Sequence, residues 1–266
     1  MSQDIKTLRN RIKSVDSTLH LTKAMGLVAS SKIRKATERM INGREYVEAL
    51  NETLSALTAS AECRKSVFLQ ERSDERMRII VVAGDRGMAG GYNANVFRFM
   101  KDFPNAEIIA IGKRACDRYG KPARSSEFFS LDHAFELAKK QCKEFAEGKF
   151  DKLAVVSTKY ISVLSQIPEM TQLLPLLKKE QPLKDVIFEP DELTILNALV
   201  PEYVAGVLVS LIRESFACEV VARKSAMDSA GKNAREMIGE LQLSYNRARQ
   251  GAITQEITEI FAGSGI

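Results

Sequence analysis

Residues 5–22 read IKTLRNRIKSVDSTLHLT, and their spacing decides the fold. Ile5, Leu8, Ile12, Val15, Leu19 and Thr22 recur at alternating steps of three and four. That is the heptad seam of an α-helix that packs along a second helix, with Lys and Arg filling the positions between. Asp4 stands where an N-cap carboxylate can accept a free backbone N–H. The pattern continues, with its phase changing, through Met25, Val28, Ile33, Ala36 and Met40 to about Leu57. A helix of that length runs on the order of 80 Å at 1.5 Å per residue.

A partner helix is sought at the other end of the chain, and proline placement says where. Pro104, Pro122, Pro168, Pro175, Pro182, Pro190 and Pro201 all lie in the middle. Proline removes a donor and clashes with the preceding turn, so stretches without it are free to form long helices. The stretch from about Asn197 to Ala262 is the second candidate. Its seam reads Met227, Ala230, Ala234, Met237 or Ile238, Leu241, Tyr245, Ala248 and Ala252. Small residues there let two helix axes approach closely. A further stripe, Ile253, Ile257 and Ile260, lies beyond the pairing. It suits either an outside partner or packing at the helix end.

The middle of the chain follows a different pattern. Arg78–Gly84 (RIIVVAG), Glu107–Gly112 (EIIAIG), Leu153–Ser157 (LAVVS) and Asp185–Phe188 (DVIF) read as buried strands. Helical stretches near Tyr92–Asp102, Arg114–Gly120 and Asp132–Gly148 separate them. Alternating strands and helices imply an α/β unit with a mainly parallel sheet. The expected plan is a long antiparallel coiled coil whose N- and C-terminal helices flank a small Rossmann-like α/β domain. In residue numbers it is a helix over 1–57, a charged, aperiodic linker over 58–77, an α/β domain over 78–196 and a helix over 197–266.

Composition narrows the function. The chain has 266 residues, is 45% hydrophobic, holds two His and no Trp, and carries a formal charge of +5. Residues 1–46 contain ten Lys and Arg against four acids, so the basic excess sits on the first helix. A basic helix suits nucleic acid, anionic lipid or an acidic protein. No aromatic residue occurs in 1–45 to stack on bases, and no nucleic-acid motif is visible, so nucleic acid is not expected as a partner. Cys63, Cys116, Cys142 and Cys218 are scattered without metal-type spacing and read as free thiols. The N-terminus is polar and charged, so a signal peptide is not expected there. No apolar run approaches the roughly 20 residues of a membrane span.

Candidate chemistry is sparse. The turn Gly84-Asp85-Arg86-Gly87-Met88-Ala89-Gly90-Gly91-Tyr92-Asn93 follows the first strand and opens a helix. Nucleotide-binding folds cradle phosphate at that place. The turn matches neither GxGxxG nor GxxxxGK[ST], so a structural turn or contact loop is the better reading. Asp191/Glu192 and Glu256/Glu259 are expected to be solvated acids. His20 and His133 stand apart from any second ligand and read as structural. No cofactor or metal is expected.

Two blocks and the turn carry a family likeness. The first is Ile5–Val15 with Thr22-Lys23-Ala24-Met25 and Ala29-Ser30-Ser31-Lys32. The second is Glu240–Gln250 (ELQLSYNRARQ) leading into Ile253–Ile260 (ITQEITEI). Together with DRGMAGGYN they resemble the gamma subunits of bacterial F-type ATP synthases over the whole chain. The resemblance implies a non-catalytic central-stalk rotor that carries torque between the c ring and the alpha3-beta3 catalytic ring. It implies alpha, beta and epsilon subunits and the c ring as partners. It also implies a peripheral place on the cytoplasmic side of the cell inner membrane, held only through the c ring. Arg249, Gln250 and Thr254 match positions that touch a beta-subunit loop. Lys23, Met25 and Lys32 match the region facing an acidic beta-subunit segment. Tyr203 to Val207 match the part beside the c ring. Two other classes stay open on the residues alone: a nucleotide-dependent enzyme housed in the α/β domain, and a coiled-coil nucleic-acid or adaptor protein using the basic helix.

Overall fold

The structure is a computed structural model describing residues 2–73, 75–177 and 188–263. The chain divides into two compact units. One joins residues 1–30 to 223–266, and the other is residues 31–222. Helix α1 is Ser2–Ala59 and helix α5 is Glu192–Gly263, and each contributes residues to both units.

In the first unit the two helix segments pair through one seam. Ile5, Leu8, Ile12 and Val15 are half-buried, Leu19, Thr22, Gly26 and Ala29 are buried, and their neighbours are mostly exposed. From α5, Met227, Gly231 and Ala234 are buried, and Ile238, Leu241, Tyr245, Ala248 and Ala252 are half-buried. A Cβ on Gly26 would lie 3.7 Å from that of Met227, and one on Gly231 would lie 3.5 Å from the Thr22 hydroxyl. Residue numbers rise on one helix as they fall on the other, so the pairing is antiparallel. Two details differ from expectation. Met25 is only half-buried and Val28 is exposed, because the heptad does not change phase. It passes through the small residues Gly26 and Ala29 and continues to Ile33, Ala36, Met40 and Gly43. On α5, Gly231 takes the buried place expected of Ala230. A reading that looks for bulky apolar side chains passes over glycine in a seam.

The second unit is a three-layer α/β domain. Strands β1 (Met77–Val82), β2 (Glu107–Ile111), β3 (Lys152–Tyr160) and β4 (Gln166–Leu174) form one sheet in the order β2-β1-β3-β4. The first three are parallel and β4 runs antiparallel to β3. Burial on both faces explains the continuous apolar runs. Ile79, Val81, Ala110 and Val156 pack on one face with Val96 of α2 (Tyr92–Phe99) and Ala115 and Cys116 of α3 (Lys113–Tyr119). Ile80, Val82, Leu153 and Val155 pack on the other with Leu137 and Phe145 of α4 (Leu131–Ala146) and with Leu57, Leu196, Val204 and Leu208 of α1 and α5. These long-helix segments are therefore core elements of the α/β domain.

Local findings bear on the sequence reading. Residues 62–77 are not a bare linker: Cys63 and Leu69 are buried at 0% and 1% exposure in two short 3-10 turns. The expected strand Asp185–Phe188 lies outside the described residues apart from Phe188. Strand β4 was not expected, since it carries Pro168, which an edge strand tolerates because no neighbour needs its N–H. Helix α5 begins before Asn197 because Asp191 caps it: one carboxylate oxygen accepts the Thr194 N–H and the other accepts its hydroxyl, both at 2.8 Å. These bonds, the backbone one first, hold the Asp191 carboxyl below its usual range. Pro201 consequently sits inside the helix, where the packing of Val200 and Val204 offsets the lost hydrogen bond. One 18-residue window of α5 is apolar enough to cross a membrane by length and composition, contrary to expectation. Over half of that window (56%) is buried within the structure, as befits a core helix.

Candidate interaction surfaces

The Gly-rich turn is the place to look for chemistry, because it lies at the carboxyl ends of parallel strands. Its acid is already engaged by neighbouring segments, and its inner side is filled. One Asp85 oxygen accepts the Lys113 N–H at 3.0 Å and the Ser126 N–H at 3.1 Å. The other accepts the Ser125 hydroxyl at 2.6 Å and the Glu127 N–H at 3.0 Å. Partial burial pushes this carboxyl up, but the bond from Ser125 and the three backbone bonds outweigh it, and the net shift is downward. On the inner side of the turn, a Cβ on Gly84 would lie 2.6 Å from the Glu219 carboxyl carbon. Glu219 is only 2% exposed. Two acidic side chains thus stand where a phosphate needs donors, and the ionised Asp85 repels an anion. Gly112 makes the close approach possible: it has φ +92°, and a Cβ there would fall 1.9 Å from the Ala83 carbonyl oxygen.

Nearby polar groups are structural in the same sense. The Tyr92 hydroxyl shares a 2.7 Å hydrogen bond with Ser215, and burial drives its pKa well above the usual range. His133 forms a reciprocal cap with Ser130 at the start of α4. All four cysteines are buried. Burial raises the thiols of Cys142 and Cys218 to about 12. Among the described residues, no group of three His, Cys, Asp or Glu is placed to hold a metal.

The anticipated contact residues fall in three settings. Arg249, Gln250 and Thr254 are exposed, beyond or beside the last seam position, Ala252. The Thr254 hydroxyl donates to the Gln250 carbonyl at 2.9 Å, a bond within the helix. Every residue from 253 to 263 is exposed, including Ile253, Ile257 and Ile260. Among the described residues, the stripe is therefore left largely open to solvent. Lys23 is exposed, and Met25 is half-buried beside the seam. Lys32, in the other unit, is ion-paired with Glu127. Tyr203 is half-buried, and Val207, at 5% exposure, belongs to the domain core. The anticipated set is thus spread along the helices and is not gathered into one site. The sequence reading missed Asp85, Glu127, Glu214 and Glu219 as organising acids. The signal for Asp85 was its place directly after a strand and a glycine.

Comparison with known proteins agrees in length and in fold. A family model described as ATP synthase matches residues 4–265. The ATP synthase gamma chain of Ruminococcus albus is 39% identical, covering 98% of this chain and 98% of that one. The sodium-ion-specific ATP synthase gamma chain of Acetobacterium woodii is 33% identical, covering 99% of each. Among solved structures, the rotor of the Euglena gracilis mitochondrial ATP synthase superposes with a TM-score of 0.67 at 16% identity, covering 95% of this chain and 100% of that one.

Proposed function

We infer the working role of this chain from a premise its relatives supply: it belongs to the ATP synthase gamma-chain family. It is a central-stalk rotor chain that carries torque between a c ring and an alpha3-beta3 catalytic ring, coupling ion flow to ATP synthesis or hydrolysis.

The finer reading is that it does so with no active site of its own. The observation that carries this is the occupied turn: Asp85 takes three backbone N–H groups and Glu219 fills the inner side. The chain then acts by shape. Two helices sharing one heptad seam form a stiff element, and their unequal outer faces present different surfaces to three chemically equivalent sites. Each contact has to be weak, since a deep well at one angle would stall rotation.

Contacts follow from exposure. Arg249, Gln250 and Thr254 meet a beta-subunit loop, and the exposed Ile253, Ile257 and Ile260 meet the apolar interior of the catalytic ring. Lys23 and Met25 face an acidic beta-subunit segment. Tyr203 serves the c-ring side by its half-exposed ring, while Val207 supports it from the core. The epsilon subunit binds the α/β domain. The complex lies at the cell inner membrane, with this chain peripheral on the cytoplasmic face. Two measurements test the reading. Titrating the chain with ATP in a calorimeter should give no binding heat, and stoichiometric binding would overturn the non-catalytic assignment. Arg249→Ala should lower ATP-driven ion pumping in membranes reconstituted with the alpha, beta and epsilon subunits and the c ring. An undiminished pumping rate would remove Arg249 from the contact set.

A further inference from the structure

The acid network around Asp85 reaches further than the turn. Asp85 holds the Ser126 and Glu127 N–H groups and the Ser125 hydroxyl, and the Arg124 carbonyl accepts the Gly112 N–H at 2.8 Å. The segment 124–127 is thereby fixed to the carboxyl ends of β1 and β2. From this anchored segment the Glu127 carboxylate, 17% exposed, pairs with Lys32 of α1, 37% exposed. The two residues are 95 positions apart in the chain. A second charged link lies twelve residues along α1, about 18 Å at 1.5 Å per residue. There Arg44 donates to Glu214 of α5 at 2.6 Å, and the same carboxylate oxygen accepts the Tyr160 N–H at the end of β3 at 2.9 Å. The ends of β1 and β3 are thus each tied to α1 through a carboxylate.

Two ties separated along one helix resist rotation of a sheet domain about that helix better than an apolar seam does. Apolar contacts are non-directional and slide, whereas a charge-assisted hydrogen bond has a fixed geometry. We propose that the Lys32–Glu127 pair, seated on Asp85, is a torque-transfer clasp between the α/β domain and helix α1. Lys32 is then a positioning residue that acts inside the rotor and does not reach a partner subunit. This rests on the rotor reading above.

The test uses the complete complex reconstituted in vesicles, with ion pumping per ATP hydrolysed compared at matched subunit content. Lys32→Met and Glu127→Gln should each lower that ratio at least about threefold, the scale of coupling between contacting residues. Lys32→Arg should retain it. Exchanging the charges, Lys32→Glu with Glu127→Lys, should restore much of what either reversal alone loses, a rescue that a merely structural loss does not show. Wild-type coupling in both neutral variants overturns the clasp, as does an exchange no better than the single reversals. A loss in Lys32→Met with none in Glu127→Gln overturns it in favour of a partner contact. A wild-type chain that supports no pumping at all would overturn the rotor reading, and the clasp with it.

Discussion

The two units hold together in different ways. In the two-helix unit, burial is confined to one stripe per helix, and several seam residues are small: Gly26, Ala29, Gly231 and Ala234. In the α/β unit a whole sheet is covered on both faces, and Phe145, Phe150, Ile79, Ile80 and Leu153 are among its largest fully buried side chains. At about 25 cal/mol for each Å² of apolar surface removed from water, a seam of small residues gains far less than a two-faced core. The lesson concerns division of labour. The α/β unit carries the larger share of burial, and the helix pair is held along one narrow stripe that leaves most of its surface exposed.

The same substitution applied to both units gives the sharpest contrast. Gly112→Ala should be the most damaging small change in the molecule. Its Cβ would sit 1.9 Å from the Ala83 carbonyl oxygen at φ +92°, so the β1 and β2 ends must separate. The expected cost is more than about 3 kcal/mol, read as a large drop in thermal midpoint or as insoluble expression. A stable, soluble variant would show that the turn is less tightly built than its geometry says.

Chemical protection comes next in size. All four cysteines lie in the α/β unit, and none in residues 1–30 or 223–266. With the Cys142 and Cys218 thiols near 12 against an ordinary 9.0, alkylation of the folded chain should be slower by about a thousandfold than for a free thiol. On heating, loss of helix from the two-helix unit should precede thiol exposure, followed by mass spectrometry of trapped cysteines. Simultaneous loss would mean that the units unfold as one.

Asp85 gives a pH handle on one unit alone. Its folded carboxyl titrates below the ordinary carboxylate value, so the unfolded chain takes up the proton first as pH falls. The stability it contributes is complete above the ordinary aspartate range and is lost as pH falls through that range to the folded value. Asp85→Asn should cost about 1–3 kcal/mol at neutral pH, and it should flatten the acid limb of stability for the α/β unit. An unchanged acid limb would show that the four hydrogen bonds do not favour the charged form. The smallest effect has the opposite sign. Gly231→Ala adds a Cβ 3.5 Å from the Thr22 hydroxyl, ordinary contact, in mid-helix. It should stabilise the helix pair by about 0.5–1 kcal/mol by reducing the freedom of the unfolded chain. Destabilisation would mean that the seam is packed more tightly at Gly231 than its 3.5 Å clearance indicates.

Much of this architecture was legible before any coordinates. Period is a local property: a seam at steps of three and four, strands as apolar runs, and proline excluded from both ends each follow from the spacing of neighbouring residues. That is enough to specify two long helices around a parallel-stranded domain. It was not enough for Gly26 and Gly231, since a residue without a side chain leaves no hydrophobic signal, nor for Ala29, which the expected change of phase left off the seam. Nor was it enough for β4, whose proline is allowed only because it lies on an edge.

The proposed contact surface divides in the same way. That Arg249, Gln250 and Thr254 ride on the last turns of a helix follows from sequence position. That they stay exposed among the described residues depends on the tertiary packing. Lys32 looked like Lys23 in sequence, two cations on a basic helix. Only the fold separates them, because Glu127 is carried to Lys32 by a segment that Asp85 pins in place. Helix and strand are set by neighbours in the chain, whereas the fate of a charge is set by whatever distant carboxylate the fold brings within hydrogen-bond reach.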